Sequence, residues 1–162
     1  MVFAMPAIEN ATTEIAAASK YPAIRLFTVG EGTAGRTGAA YAQTDLITVL
    51  QPWSRASNVS VASGGRFGIF SAVCWIFGRT VFEGLGGSVP VGLVASAWGG
   101  TRIESWSPDA VFEACPAAKR GILSNQGPHY NAMIAPFTHG PLVLSGFVFY
   151  QVRATCHRRF AA

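Results

Sequence analysis

Two spacings in this chain could carry chemistry: a glycine-rich stretch near the N-terminus and a glycine pair near the middle. Gly30-Glu-Gly-Thr-Ala-Gly35 fits G-x-G-x-x-G and directly follows Ile24-Arg-Leu-Phe-Thr-Val29, whose alternation predicts a strand. In that setting the pattern is a dinucleotide fingerprint, whose backbone cradles pyrophosphate at a helix N-terminus. The fingerprint also requires a helix next and an acidic residue roughly 20 positions on. Gly38 stands where the helix should be, the apolar run Asp45 to Leu50 arrives too early, and Gln51-Pro-Trp-Ser-Arg55 holds no carboxylate. A plain glycine-rich loop is therefore expected, and no cofactor.

The second spacing is Val89-Pro-Val-Gly-Leu-Val-Ala-Ser-Ala-Trp-Gly-Gly-Thr-Arg-Ile-Glu-Ser-Trp106, where an apolar run stops at Gly99-Gly100 and a polar turn begins. A valine-rich run of this length predicts a strand, Val89 to Ala97, buried on both faces. Glycines at its C-terminal end let backbone N–H groups approach a ligand, and in open α/β sheets ligands sit at that edge. No nucleophile accompanies these donors. Ser96 lies inside the strand, between Val94 and Trp98, and fails the G-x-S-x-G pattern of a nucleophile elbow. His129, His139 and His157 have no carboxylate at a spacing that would orient a general base. Glu104 is close enough to the glycine turn to face a cleft, but an isolated glutamate there is more often a local cap or ion-pair partner.

The elements that must position this turn are set by periodicity. Glu9 to Lys20 is alanine-rich, with Glu14 early and Lys20 late, a charge order that suits a short helix. Trp53 to Arg66 is expected to be loop. Phe70, Val73, Cys74, Phe77, Val81, Phe82 and Leu85 recur at helical spacing, which predicts a core-facing helix weakened slightly by Gly78 and stopped by Gly86-Gly87. Ser107-Pro108-Asp109 predicts the cap and first turn of a helix to about Ala118. Gly121 to Tyr130 is expected to be loop, Asn131 to Ala135 a short helical or irregular piece ended by Pro136, and Leu142 to Gln151 a second apolar strand. Helix, loop and strand in this order suggest βαβ units and an α/β fold.

Composition bounds the partners. Half of the 162 residues are apolar and 12% are charged, which suits a buried sheet covered by helices and excludes disorder. The net charge of +4 owes three charges to Arg153, Arg158 and Arg159; the other nine basic residues against eight acidic ones leave +1, so nucleic acid is not an expected partner. Cys74, Cys115 and Cys156 are widely spaced with no C-x-x-C pair, so neither a metal site nor a disulfide framework is indicated. No run approaches a membrane span of about 18 apolar residues, and Pro6 and Glu9 interrupt any signal-peptide core. Asn10-Ala-Thr12 and Asn58-Val-Ser60 are glycosylation sequons.

The stretch Val89 to Trp106 closely resembles the corresponding segment of the sialate O-acetylesterases, a family of the SGNH hydrolase superfamily. Phe70-Ser-Ala-Val-Cys-Trp75 with Phe77-Gly78-Arg79, Tyr130-Asn-Ala-Met-Ile-Ala-Pro136 and Gly146-Phe-Val-Phe-Tyr-Gln151 agree with it in order, and the resemblance runs to Gln151. It implies a three-layer α/β/α sandwich around a mainly parallel sheet, present here incompletely, over residues 1–151, and beyond it a basic tail, 152–162, outside the family pattern. It implies hydrolysis of O-acetyl esters on sugars such as sialic acid, without a metal or other cofactor, and a secreted or lysosomal setting for the full-length family.

The resemblance also assigns roles. Gly99, Gly100 and Gln151 match oxyanion-hole positions, and Trp98 and Asn131 match the substrate side. The family's nucleophile is the serine of Gly-Gln-Ser-Asn-Met; Met1-Val-Phe-Ala-Met-Pro6 resembles the family segment that starts at the methionine of that motif, with Met1 in its place. After Gln151 the family's Gly-Glu is replaced by Val152-Arg153, and the later Asp-x-x-His region has no counterpart. The chain is accordingly expected to be a fragment, inactive alone, whose last eleven residues come from a shifted reading frame. The alternative is a non-catalytic carbohydrate- or partner-binding remnant using Trp98, Trp106 and Asn131 as a sugar platform.

Overall fold

Ile24, Leu26, Leu93 and Ala95 are apolar at every second position of two segments, and this period places them on one face of a sheet. The computed structural model describes residues 3–30, 42–64, 68–114, 127–139 and 142–150. In it, β1 (Ile24–Val29) and β3 (Val91–Ala95) pair in parallel, Ile24 opposite Val91 and Leu26 opposite Leu93. β2 (Val49–Arg55) pairs antiparallel with the other side of β1, Arg25 opposite Arg55 and Leu26 opposite Ser54, with irregular register between Leu26 and Val29. The strand order is β2-β1-β3.

The α/β architecture is thus present, with a sheet that is mixed, one parallel pair and one antiparallel pair. Trp53 to Arg55 belong to β2 rather than to a loop, and Pro52 is tolerated because β2 lies at the end of the strand order, where a missing N–H breaks no ladder. β3 is shorter than the expected Val89–Ala97 and is buried mainly on one face. Leu93 and Ala95 are buried, whereas Gly92 is exposed.

The chain divides into two compact units: Met1–Glu31 with Thr48–Gly99, and Gly32–Ile47 with Gly100–Ala162. In the first, α1 (Ala11–Ala17) continues into a 3-10 turn, Ala18–Lys20, as the charge order predicts. α2 (Asn58–Ala62) begins at Ser57, whose hydroxyl accepts from the Ser60 N–H at 3.0 Å while the Ser60 hydroxyl accepts from the Ser57 N–H at 2.8 Å. It stands where loop is expected, because this capping box carries serine in the place usually taken by glutamate or glutamine.

α3 (Ala72–Gly84) is capped by the Ser71 hydroxyl, which accepts from the Cys74 N–H at 3.4 Å. Its end is a Schellman motif: Gly87 N–H donates to Phe82 O and Gly86 N–H to Glu83 O, both at 2.9 Å, and both glycines have positive φ. The buried face of α3 is Ala72, Trp75, Gly78 and Phe82, rotated from the expected stripe, and Phe77, Val81 and Leu85 are exposed. The reason is Gly78. A Cβ there would overlap the terminal methyls of Leu93, so the glycine brings the helix close onto β3.

The core of the first unit joins Met5, Ile24, Leu26, Val61, Phe70, Trp75, Phe82 and Leu93. A polar cluster crosses beside it. Gln51, 8% exposed, accepts from the Thr28 hydroxyl at 3.2 Å and donates to Ser60 O and Ser54 Oγ, each at 3.0 Å, tying β1, β2 and α2 together. At the helix ends, Arg79 donates to Glu83 at 3.0 Å and to Glu14 at 3.4 Å, and the Tyr21 hydroxyl donates to Glu83 at 2.5 Å.

In the second unit, a 3-10 turn, Ile103–Trp106, leads to α4 (Asp109–Ala114), which starts at the Asp of the expected Ser-Pro-Asp, although the Ser107 hydroxyl donates back to Ile103 O at 3.1 Å; residues 115–126 lie outside the described residues. α5 (Pro128–Met133) starts three residues before the expected piece, and α6 (Ala135–His139) accepts Pro136 in its first turn, where the lost N–H has no intrahelical acceptor. Residues 142–150 form no strand and are exposed throughout. An apolar run becomes a strand only when a neighbour completes its ladder, and none of the described residues pairs with it.

Candidate functional site

Leu93 and Ala95 anchor β3 in the core, and the chain leaves the sheet after Ala95. Ser96, Ala97 and Trp98 are half-buried, and Gly99 and Gly100 are exposed. Gly100 has φ of +78°, a conformation that side chains with a Cβ disfavour. A Cβ at either glycine would meet nothing within 4 Å, so the backbone beside both is open to a ligand atom. This turn lies just past the C-terminal end of a parallel strand, as expected.

The first glycine of G-x-G-x-x-G has a different role. Gly30 N–H donates to Thr48 O at 2.9 Å, and a Cβ there would overlap the Thr48 side chain. Its lack of a side chain serves close packing inside the protein, and Gly32 to Gly35 lie outside the described residues.

Past Gly100, the second unit holds a compact aromatic and polar arrangement. Trp106 Nε1 donates to Thr101 Oγ1 at 2.8 Å, and the Trp106 ring stacks on His129, with centroids 5.2 Å apart and planes at 21°. His129 is 4% exposed, and burial holds its imidazole below the usual histidine pKa, so it is neutral near pH 7. Gly127, at φ +59°, leads into α5; a Cβ on it would overlap Ser107 O, so glycine lets the start of α5 close against the turn. Two residues after His129, Asn131 is 5% exposed; its N–H donates to Gly127 O at 2.8 Å and its carbonyl accepts from Gln43 N–H at 2.9 Å.

The candidate residues are thus divided between the units. Trp98 and Gly99 belong to the first, and Gly100 and Asn131 to the second. Gln151 and His157 lie outside the described residues, and His139 is exposed at the end of α6. The stack of Trp106 on His129 has no signal in the sequence, because a separation of 23 residues leaves no periodic trace. Asn10 and Asn58, the sequon asparagines, are both exposed. Among the described residues no group of three or more His, Cys, Asp or Glu could hold a metal ion, and no helix is long and apolar enough to cross a membrane.

No family model matches the chain. It is 37% identical over 152 residues to a sialate O-acetylesterase of Pongo abelii and 36% identical over 152 residues to that of Homo sapiens, covering 89% of this chain in each case. A sialate O-acetylesterase of Rattus norvegicus is 38% identical over 108 residues, covering 67% of this chain and 18% of that protein. A crystal structure of a carbohydrate acetylesterase from Xanthomonas citri superposes with a TM-score of 0.63 at 26% identity, covering 88% of this chain and 28% of that one. The chain spans 27% of the length of the first two relatives. With this identity along most of its residues and a matching acetylesterase fold, the chain belongs with the sialate O-acetylesterases, as a homologue of partial length.

Proposed function

We propose that this chain carries the oxyanion-stabilising side of a site that hydrolyses O-acetyl esters on a sugar, and that the 162 residues alone do not turn over. The observation behind this reading is the Gly99-Gly100 turn, with Gly100 at φ +78° and open space beside both glycines. Attack on an acetyl ester puts negative charge on the carbonyl oxygen. Backbone N–H groups fixed about 2.7–3.1 Å from that oxygen stabilise the transition state more than the ground state. The Gln151 amide is the second donor in this reading. Attack itself needs a nucleophile and a base to take its proton. The 162 residues contain no Gly-Gln-Ser-Asn motif, and Ser96 is not on an elbow.

Two assays test the two halves. The purified chain is expected to hydrolyse an aryl acetate no faster than background, and turnover abolished by Ser96→Ala would refute the inactive reading. Residues 1–151 joined behind a relative's segment ending in Gly-Gln-Ser-Asn and ahead of that relative's segment from Gly-Glu through Asp-x-x-His, so that nucleophile and base are both supplied, are expected to hydrolyse acetylated sialic acid. Gly100→Val in that protein should then cost roughly 10²–10³ in rate, the scale of one oxyanion donor. Unchanged rate would remove the glycine turn from the site. The alternative, a sugar platform of Trp98, Trp106 and Asn131, has less support, because His129 covers one face of Trp106 and Asn131 is 5% exposed.

A further inference from the structure

Two segments of the first unit carry the Asn-x-Ser/Thr pattern, Asn10-Ala-Thr12 and Asn58-Val-Ser60, and both asparagines are exposed. An oligosaccharide reaches such an asparagine through a transferase that reads the hydroxyl two residues on as well as the amide. The two hydroxyls differ in availability. Ser60 is 7% exposed and its hydroxyl is saturated: it donates to Arg55 O at 2.9 Å and accepts from the Ser57 N–H at 2.8 Å and the Ser57 hydroxyl at 3.1 Å. Asn58 and Ser60 are also two positions apart within α2, a separation that turns side chains to different sides of a helix. The amide is therefore in water while the hydroxyl is inside. Thr12, by contrast, is exposed, and among the described residues no hydrogen bond engages its hydroxyl. Asn10 precedes α1 in the left-handed region at φ 56°, and its side chain caps nothing, so this segment can open without breaking a cap of the kind that holds α2.

We propose that folding separates the two sequons: Asn10 accepts an N-linked oligosaccharide in the folded chain, whereas Asn58 accepts one only while α2 is unformed. The donor is a lipid-pyrophosphate-linked oligosaccharide. The asparagine amide nitrogen bonds to C1 of the first sugar as the C1–oxygen bond to the pyrophosphate breaks. The nitrogen gives up one proton to the transferase, and the lipid pyrophosphate leaves with the bonding pair. A glycan placed on Asn58 before folding remains compatible with α2, because the asparagine is exposed and the cap is made by Ser57 and Ser60. The hydrogen bonds that close Ser60 are all made within residues 55–60, so they hold whether or not further chain packs on the first unit. This control by folding is independent of ester hydrolysis.

The test gives the full chain to a purified oligosaccharyltransferase with a lipid-linked oligosaccharide and follows the occupancy of each asparagine over time by peptide mass mapping. A full-length chain carrying both Leu26→Asp and Trp75→Ala, which puts a charge and a cavity into the core and is verified as unfolded by circular dichroism, gives each sequon its own rate without the fold. Comparing each asparagine with itself cancels the difference between threonine and serine. In the parent chain Asn58 is expected to react about 10-fold or more slowly than in the unfolded chain, and Asn10 within about 3-fold of its unfolded rate. Ser57→Ala, which removes one side of the cap and one partner of the Ser60 hydroxyl, should raise the Asn58 rate about 3-fold or more and leave Asn10 unchanged. Equal Asn58 rates in the parent and the unfolded chain, or slowing of Asn10 by as much as Asn58, would each overturn the proposal. So would an Asn58 rate in Ser57→Ala no higher than the parent's.

Discussion

Gly78 of α3 sits so close to Leu93 of β3 that a single added carbon would overlap the leucine's methyl groups. The helix gives up about 1 kcal/mol of propensity at that position relative to alanine, and in return packs Trp75 and Phe82 into the core with Leu93. Gly78→Val should therefore lower stability by about 1–3 kcal/mol, the usual scale of overpacking. Gly78→Ala should cost less, because improved propensity offsets part of the clash. In Gly78→Ala with Leu93→Ala the two losses should add to less than their sum, since the second change removes the atoms that the first one meets. Urea unfolding midpoints of the parent, the two single variants and the double variant measure this; strict additivity would show that the contact is not what limits the helix.

Gln51 is the hub of the buried polar cluster between β1, β2 and α2. Gln51→Leu leaves the Ser60 carbonyl and the Thr28 hydroxyl without that partner, and a buried unsatisfied polar group costs about 1–3 kcal/mol. A loss of that size in thermal or urea unfolding is expected, with β2 showing the largest rise in amide exchange. A neutral substitution would mean that water replaces the amide.

Burial pushes the Cys74 thiol from 9.0 up to about 12. The thiolate is the reactive form, so Cys74 should resist iodoacetamide at pH 8 in the folded chain and react fully once unfolded, as read by peptide mass mapping. The folded state holds this proton more tightly than the unfolded state, so the contribution to stability is fully present below pH 9 and is lost as pH rises toward about 12. Cys74→Ala should unfold with a shallower alkaline dependence than the parent chain.

His129 behaves in the opposite sense. Burial lowers its pKa below the ordinary 6.5, so the unfolded state binds the proton more readily and stability is lost as pH falls through that value. The melting temperature should drop between pH 7 and pH 5. His129→Phe, which keeps a ring against Trp106 without a titrating group, should flatten that part of the acid dependence. An unchanged slope would assign the acid loss to carboxylates.

Local signals are legible along the chain. The Gly86-Gly87 stop, the Ser-Pro-Asp start of α4, the alternation of Ile24 to Val29 and the glycine turn after β3 each depend on a few adjacent residues, whose backbone preferences act before any tertiary contact forms. The ordered motifs from Phe70 to Gln151 carry the family resemblance, because they reflect descent rather than packing. Features that depend on distant residues are not legible. The face of α3 that turns inward is decided by Leu93 meeting Gly78, and residues 49–55 are a strand because β1 offers a ladder partner.

For the site, the amino-acid sequence by itself determined the glycine turn, since a positive φ beside open backbone demands that residue type at Gly100. Only the tertiary structure decided that Gly30 is packed against Thr48, that Trp106 is stacked on His129, that residues 142–150 stay outside any strand, and that Arg25 and Arg55 face each other beside Trp53. The physical reason is common to all four. Backbone preference is a property of neighbours in the chain, whereas burial, stacking and strand register are set by residues that meet only after folding.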